Sequence, residues 1–172
     1  MRDIDPILQL LASSRARFLA TLDTVPEDRW RQSSRPGVWS AAELAAHVTM
    51  VERSVNKNAV RILGVAPASV PLLKRIHLPV RISSYRLFKV KSPFQMKQEL
   101  LEDKPKHIEM LAASRKLTVD FLEANRQRDL AAYRAPHPLL GSINLYDWYK
   151  FIAYHEERHR KQLRDVVESF RI

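Results

Sequence analysis

The sequence predicts an all-α protein, a four-helix bundle, on three observations. Its 172 residues hold only three glycines, whereas an all-β chain of this length needs Gly-rich turns. Four stretches carry apolar residues at helical spacing, and the starts of the first, second and fourth carry capping signals. Between the second and third lies a long, proline-rich, basic stretch that reads as one crossover connection. A chain of this size buries a core without disulfides, so a single domain over residues 1–172 is expected. No internal repeat stands out.

Helix one is expected to start at Asp5-Pro6, with Asp5 as N-cap and Pro6 at the first helical position, where its missing N–H costs nothing. Ile7, Leu10, Leu11, Ser14, Phe18 and Leu22 follow as its stripe, ending before Pro26. Helix two opens in "PGVWSAAELAAHV": Pro36-Gly37 turns the chain, Ser40 caps, and Glu43 closes a capping box. Trp39 and Leu44 occupy the staple positions. Leu44, His47, Val48, Val51 and Val55 then share one face.

Residues 64–93 carry four prolines and no sustained period, with room for one short helix from Leu72 to His77. Helix three is expected from about Pro105 to Asn125, with Ile108, Leu111, Ala112, Arg115, Val119 and Leu122 turned inward. "RAPHPLLGS" is a second loop. Helix four runs from Asn144, capped with Asp147 at N3, to about Phe170. Its stripe is Leu145, Trp148, Ile152, His155, His159, Gln162 and Val166.

The formal charge of +10 is concentrated. From Arg53 to Gln98 there are ten Lys and Arg and no acidic residue, while the rest of the chain balances. Such a segment holds nucleic acid, a membrane surface or an anionic small molecule, or is simply a solvated face. Aromatic interleaving of the RNA-binding kind and a helix-turn-helix are both missing, which ranks nucleic acid last. No apolar run approaches a membrane span and no signal-type apolar region opens the chain, so a cytoplasmic protein is expected. With no cysteine, any thiol in its chemistry must arrive on a ligand.

The chemistry concentrates in "YHEERHRKQL", residues 154–163. Imidazoles four apart on a helix differ by about 40° in direction and can converge on one cation. His155 and His159 meet that condition on the core-facing stripe, where buried polar groups need partners. His47, on the stripe of helix two, is the expected third ligand. Three neutral imidazoles leave an ion its full charge and an open position, the layout of a catalytic site. Ligand softness admits Zn²⁺, Ni²⁺, Fe²⁺ and Cu²⁺ and does not choose among them; Zn²⁺ or Ni²⁺ is the expectation. His77 and His107 are expected at the surface, and His137, in the loop before helix four, at the border of the site.

The same stretch fits the H-E-x-x-H pattern of zinc peptidases. That chemistry normally needs a third ligand downstream and a sheet to hold the peptide. Thirteen residues follow His159, without a histidine, and Glu168 lies on the same helix. A peptidase is therefore not expected. Glu156 remains a candidate base, although it stands about 100° off the ligand stripe, where exposure to solvent is at least as good an account.

The two blocks "PGVWSAAELAAHV" and "HPLLGSINLYDWYKFIAYHEERHRKQL" resemble the DinB/YfiT-like superfamily of metal-dependent four-helix bundles. The motifs are W-S-x-x-E-x-x-x-H and H-x-x-x-H-x-x-Q-[LI], and the likeness covers most of the chain, loosely over residues 64–93. It implies His47, His155 and His159 as the metal triad and a homodimer. That superfamily includes bacillithiol and mycothiol S-transferases and a thiol-dependent maleylpyruvate isomerase, so it also implies transfer or addition of a low-molecular-weight thiol to a small-molecule substrate. The basic segment then suits carboxylates on such a cosubstrate, with Arg81 and Arg86 as candidates. A non-catalytic metal-binding stress-response protein is the competing expectation.

Overall fold

The structure is a computed structural model and describes residues 3–65, 78–85 and 101–170. Four long helices make it up: α1 (Asp5–Asp23), α2 (Ala41–Leu63), α3 (Lys104–Ala124) and α4 (Leu145–Ser169). Helix α1 packs on α4, and α2 packs on both α3 and α4. The helix starts are built as the sequence specifies, with one exception. Ser40 Oγ accepts the Glu43 N–H at 3.3 Å and the Glu43 carboxylate accepts the Ser40 N–H at 2.8 Å, closing the capping box of α2. Asn144 Oδ1 likewise accepts the Asp147 N–H at 3.0 Å, and Asp103 caps α3. Asp5, expected to cap α1, is instead inside its first turn; the cap position is Ile4, and Asp3 accepts the Asp5 N–H.

Two apolar clusters fill the bundle, one at each end of a polar layer. The first gathers Phe18, Leu44, Val48, Leu111, Leu163 and Val166; the second gathers Leu11, Val55, Leu122, Leu145, Tyr149 and Ile152. Along α1 and α4 the chain meets the second cluster first, along α2 and α3 the first. Helices α2 and α3 therefore run the same way.

The polar layer consists of Arg15, Glu52, Arg115 and Glu156, one from each helix and all buried. The structure corrects the expected inner face of helix three in part. Ile108 and Ala112 face outward, Ile108 being 37% exposed, and His107, Ser114 and Thr118 turn inward with Leu111, Arg115 and Leu122. Apolar spacing alone misplaced part of this face because four of the six residues it buries are polar.

Arg134–His137 and Gly141–Asn144 pair as a small antiparallel hairpin, β1 and β2, in what the sequence offered as loop. Gly141 permits the turn with φ +83°, and His137 Nδ1 accepts the N–H groups of Leu139 and Leu140 at 3.1 and 3.2 Å. Of the long connection, Val80–Ser84 forms a 3₁₀ turn packed on α4: Val80 joins Leu140, Ile143 and Phe151, and Lys161 donates to the Ser84 carbonyl at 3.1 Å. The short helix expected at Leu72–His77, and with it His77, lies outside the described residues, as does Arg86. Among the described residues no helix is long and apolar enough to cross a membrane.

His107, expected at the surface, is 1% exposed beneath Trp30, with ring centroids 5.6 Å apart and neither nitrogen hydrogen-bonded. Burial pushes its imidazole below the ordinary value, partly countered by Glu102 and Asp103, with Arg31 adding to the depression. Below about pH 6.5 the unfolded chain takes up a proton that the folded chain resists, so stability falls as the pH falls. His107→Phe should flatten the fall in stability between pH 7 and 5 by up to about 1.4 kcal/mol per pH unit. Urea unfolding of both proteins across that range checks it; parallel curves would rule this role out.

Candidate metal centre

The site forms where α2 and α4 cross just beyond the polar layer. Its first wall is set by the capping box: with α2 anchored at Ser40, Trp39 is held over the helix start and His47 emerges about two turns in. The Trp39 ring lies 4.8 Å from that of His47 and stacks on that of His159 at 5.9 Å and 22°. From α4, His155 and His159 reach the same point. His155 Nε2 is 3.2 Å from His47 Nε2 and 3.0 Å from His159 Nε2. The ligand atoms of all three lie within 4.8 Å of one another.

These distances fit a cation better than hydrogen bonds alone. A neutral imidazole carries one N–H, so His155 Nε2 can donate to one neighbour but not to both. An ion about 2.0–2.1 Å from each nitrogen in tetrahedral array would place them about 3.3 Å apart, close to what is seen. His159 is also prepared for it: its Nδ1–H donates to Gln162 Oε1 at 2.5 Å, which leaves Nε2 as a bare lone pair facing the other two rings. His47 Nδ1 is buried without a partner, so His47 meets hydrogen-bonding or ligand partners through Nε2.

Electrostatics point the same way. Burial lowers His47 to about 4. Burial first, then His47 and Arg158, takes His159 to about 3, against a raising contribution from its bond to Gln162. His155 is held well below its ordinary value by burial, by the other two rings, and by Arg158 and His137. At neutral pH all three are uncharged, the form in which imidazole binds a metal.

Around the triad stands a chain of aromatic rings. Phe151 lies 5.2 Å from His155 and meets His137 edge-on at 4.5 Å, and His137 lies 5.1 Å from Trp148. His137 thus borders the site through Phe151, as expected. Because its Nδ1 accepts two backbone N–H groups, its hydrogen sits on Nε2. Arg81 stands exposed on the Val80–Ser84 turn, and among the described residues no hydrogen bond or ion pair joins it to the three histidines.

Glu156 is neither exposed nor free. It is 0% exposed, and its carboxylate accepts from Ser14 at 2.6 Å, Arg15 at 2.5 Å and Arg115 at 3.1 Å. Both oxygens are engaged in the polar layer, which corrects the solvent-facing alternative and leaves no acceptor turned to a substrate. Sequence reasoning gave Trp39 and Gln162 a staple and a stripe position and a place in the two motifs, but no contact with the histidines. The hydrogen-bond acceptor three residues after His159 was the legible signal for Gln162.

A model of the DinB superfamily matches residues 10–163. The uncharacterized protein YuaE of Bacillus subtilis (strain 168) is 20% identical over 169 residues, covering 94% of this chain and 98% of that protein. The crystal structure of TT2238, a four-helix bundle protein, superposes with a TM-score of 0.62 at 22% identity, covering 94% of this chain and 98% of that one. The likeness to TT2238 is one of fold.

At pH 7, ¹⁵N-resolved imidazole spectra should show His159 as the Nδ1–H tautomer with Nε2 unprotonated. Gln162→Ala should convert it to a tautomer mixture. A wild-type spectrum with the hydrogen on Nε2 would contradict the assignment.

Proposed function

The chain belongs to the DinB superfamily, and from that membership and its three facing imidazoles we propose a metal-dependent enzyme that transfers or adds a low-molecular-weight thiol. The observation that carries this is the convergence of the His47, His155 and His159 Nε2 atoms at 3.0 and 3.2 Å, with the lone pair of His159 fixed by Gln162. An all-imidazole donor set suits a divalent transition metal, and Zn²⁺ or Ni²⁺ is the ion proposed. His47, His155 and His159 would hold such an ion as three neutral ligands, and it would supply an undiminished positive charge able to acidify a thiol.

The chain's own residues supply the rest. Burial keeps the three rings neutral, so protons do not compete with the ion near pH 7. Trp39 and Phe151 flank the histidines with apolar surface, which excludes water and strengthens the field at the site. The absence of cysteine requires the sulfur to come from a cosubstrate. In the overall reaction the thiol gives up its proton and its sulfur bonds to an electrophilic carbon. The displaced electron pair leaves with a leaving group in a transfer; in an addition the proton returns to the product.

Metal analysis of protein purified without a His-tag should find one divalent ion per chain. His155→Ala should lose that ion together with thiol-dependent consumption of a chromogenic electrophile. Turnover that survives in the metal-free variant would overturn the proposal. A wild type that holds its ion without turning over any thiol would point to the non-catalytic alternative.

A further inference from the structure

We infer that Arg15, Glu52, Arg115 and Glu156 form a positioning frame for the histidine site, fixing the rotation of α2 and α4 and so the direction of the three imidazoles. The inference rests on the metal-site reading above. Its first support is the division of labour: the two helices that carry the three facing histidines each supply a carboxylate, and the two that carry none of those three each supply a guanidinium.

The bonds come in matched pairs. Arg15 Nε donates to Glu156 Oε1 at 2.5 Å, and Arg115 Nε to Glu52 Oε1 at 2.7 Å. Arg15 Nη2 donates to Glu52 Oε2 at 2.6 Å, and Arg115 Nη2 to Glu156 Oε2 at 3.1 Å. Each Nη1 binds a carbonyl across the bundle, Leu111 for Arg15 and Leu11 for Arg115. Ser14 and Ser114 complete the set, donating to Glu156 Oε2 at 2.6 Å and to Glu52 Oε2 at 2.9 Å. Exchanging α1 with α3 and α2 with α4 maps every one of these bonds onto another, an internal twofold relation that the sequence did not announce.

A frame of this kind matters because metal sites tolerate little. Glu156 is the residue after His155 and lies one turn before His159, so the grip of two arginines on it sets both rings; Glu52 does the same for α2 and His47. An imidazole nitrogen stands about 6 Å from its helix axis, so a rotation of about 10° moves it by about 1 Å. Metal–ligand distances are held to about ±0.2 Å. Helix packing on apolar side chains alone scatters by more than this. Stability does not require buried charges, because well-packed apolar residues of similar volume serve as well. Direction does.

The test uses the full-length, tag-free chain and Co²⁺, whose visible bands report coordination geometry. Two variants are compared with wild type: Glu156→Gln, and the apolar replacement Arg15→Met, Glu52→Leu, Arg115→Met and Glu156→Leu, which keeps a folded comparison should the single change unfold the bundle. Leu122→Ala, a destabilised control in the second apolar cluster, should bind as wild type does. A folded frame variant should bind Co²⁺ about tenfold more weakly or worse, with shifted bands. A folded frame variant with wild-type affinity and bands overturns the inference. Should wild type itself bind no Co²⁺, the metal reading fails, and the frame is judged on the metal-free protein. There the His159 Nδ1–H signal from its bond to Gln162 should weaken in the variants, and an unchanged signal overturns the frame.

Discussion

The structure turns on four charges buried together at the centre of the bundle. An unpaired carboxylate or guanidinium there would cost several kcal/mol, so each must be compensated locally. Arg15 and Arg115 each bridge Glu52 and Glu156, and the two signs balance. Burial works to raise the Glu52 carboxyl, but Arg115 and Arg15, with bonds from Arg115 and Thr118, hold it below its ordinary value. The layer continues sideways: Asn56 donates to Thr118 at 2.9 Å, and Tyr149 donates to Asn56 at 3.2 Å. Because these bonds are directional, the layer admits one register of the four helices, whereas the apolar clusters on either side of it would tolerate several.

The histidine site stands on this layer and departs from its symmetry. Under the exchange that relates the two halves, His155 and His159 correspond to Val51 and Val55, and His47 corresponds to Phe151. The mate of the site is thus apolar, and Phe151 packs there with Val80, Leu140 and Ile143, against which Val51 rests. One side of the α2–α4 seam was given to facing histidines and the other to apolar packing. Burial, and after it the mutual approach of the rings and Arg158, keeps them neutral: three imidazoles face one another and aromatic neighbours.

Much of this was legible in the sequence because it depends on local signals. The capping box of α2, the helix stripes and an i, i+4 histidine pair are each written within a few residues, and the four helices and the three facing histidines follow from them. What escaped depends on partners far apart in the chain. The inward Ser114 and Thr118 look like surface residues until Glu52 is placed opposite them, and His107 looks exposed until Trp30 covers it. The twofold relation was hidden for the same reason: α1 and α3 share Leu-x-x-Ser-Arg, but a five-residue echo has no visible meaning before the carboxylates that bind it are known.

Glu156 shows how far a local motif can mislead. In H-E-x-x-H the glutamate serves as a base only if it faces the same open position as the histidines. On α4 it lies about 100° from His155 and about 60° from His159, enough to direct it into the bundle instead of across the site. There its two oxygens take three donors from α1 and α3. Among the described residues the only sheet is the two-stranded hairpin at Arg134–Asn144, which offers no extended edge for a peptide beside the triad. The letters of the motif therefore serve two purposes: the histidines face the site, and the glutamate holds the helix that aims them.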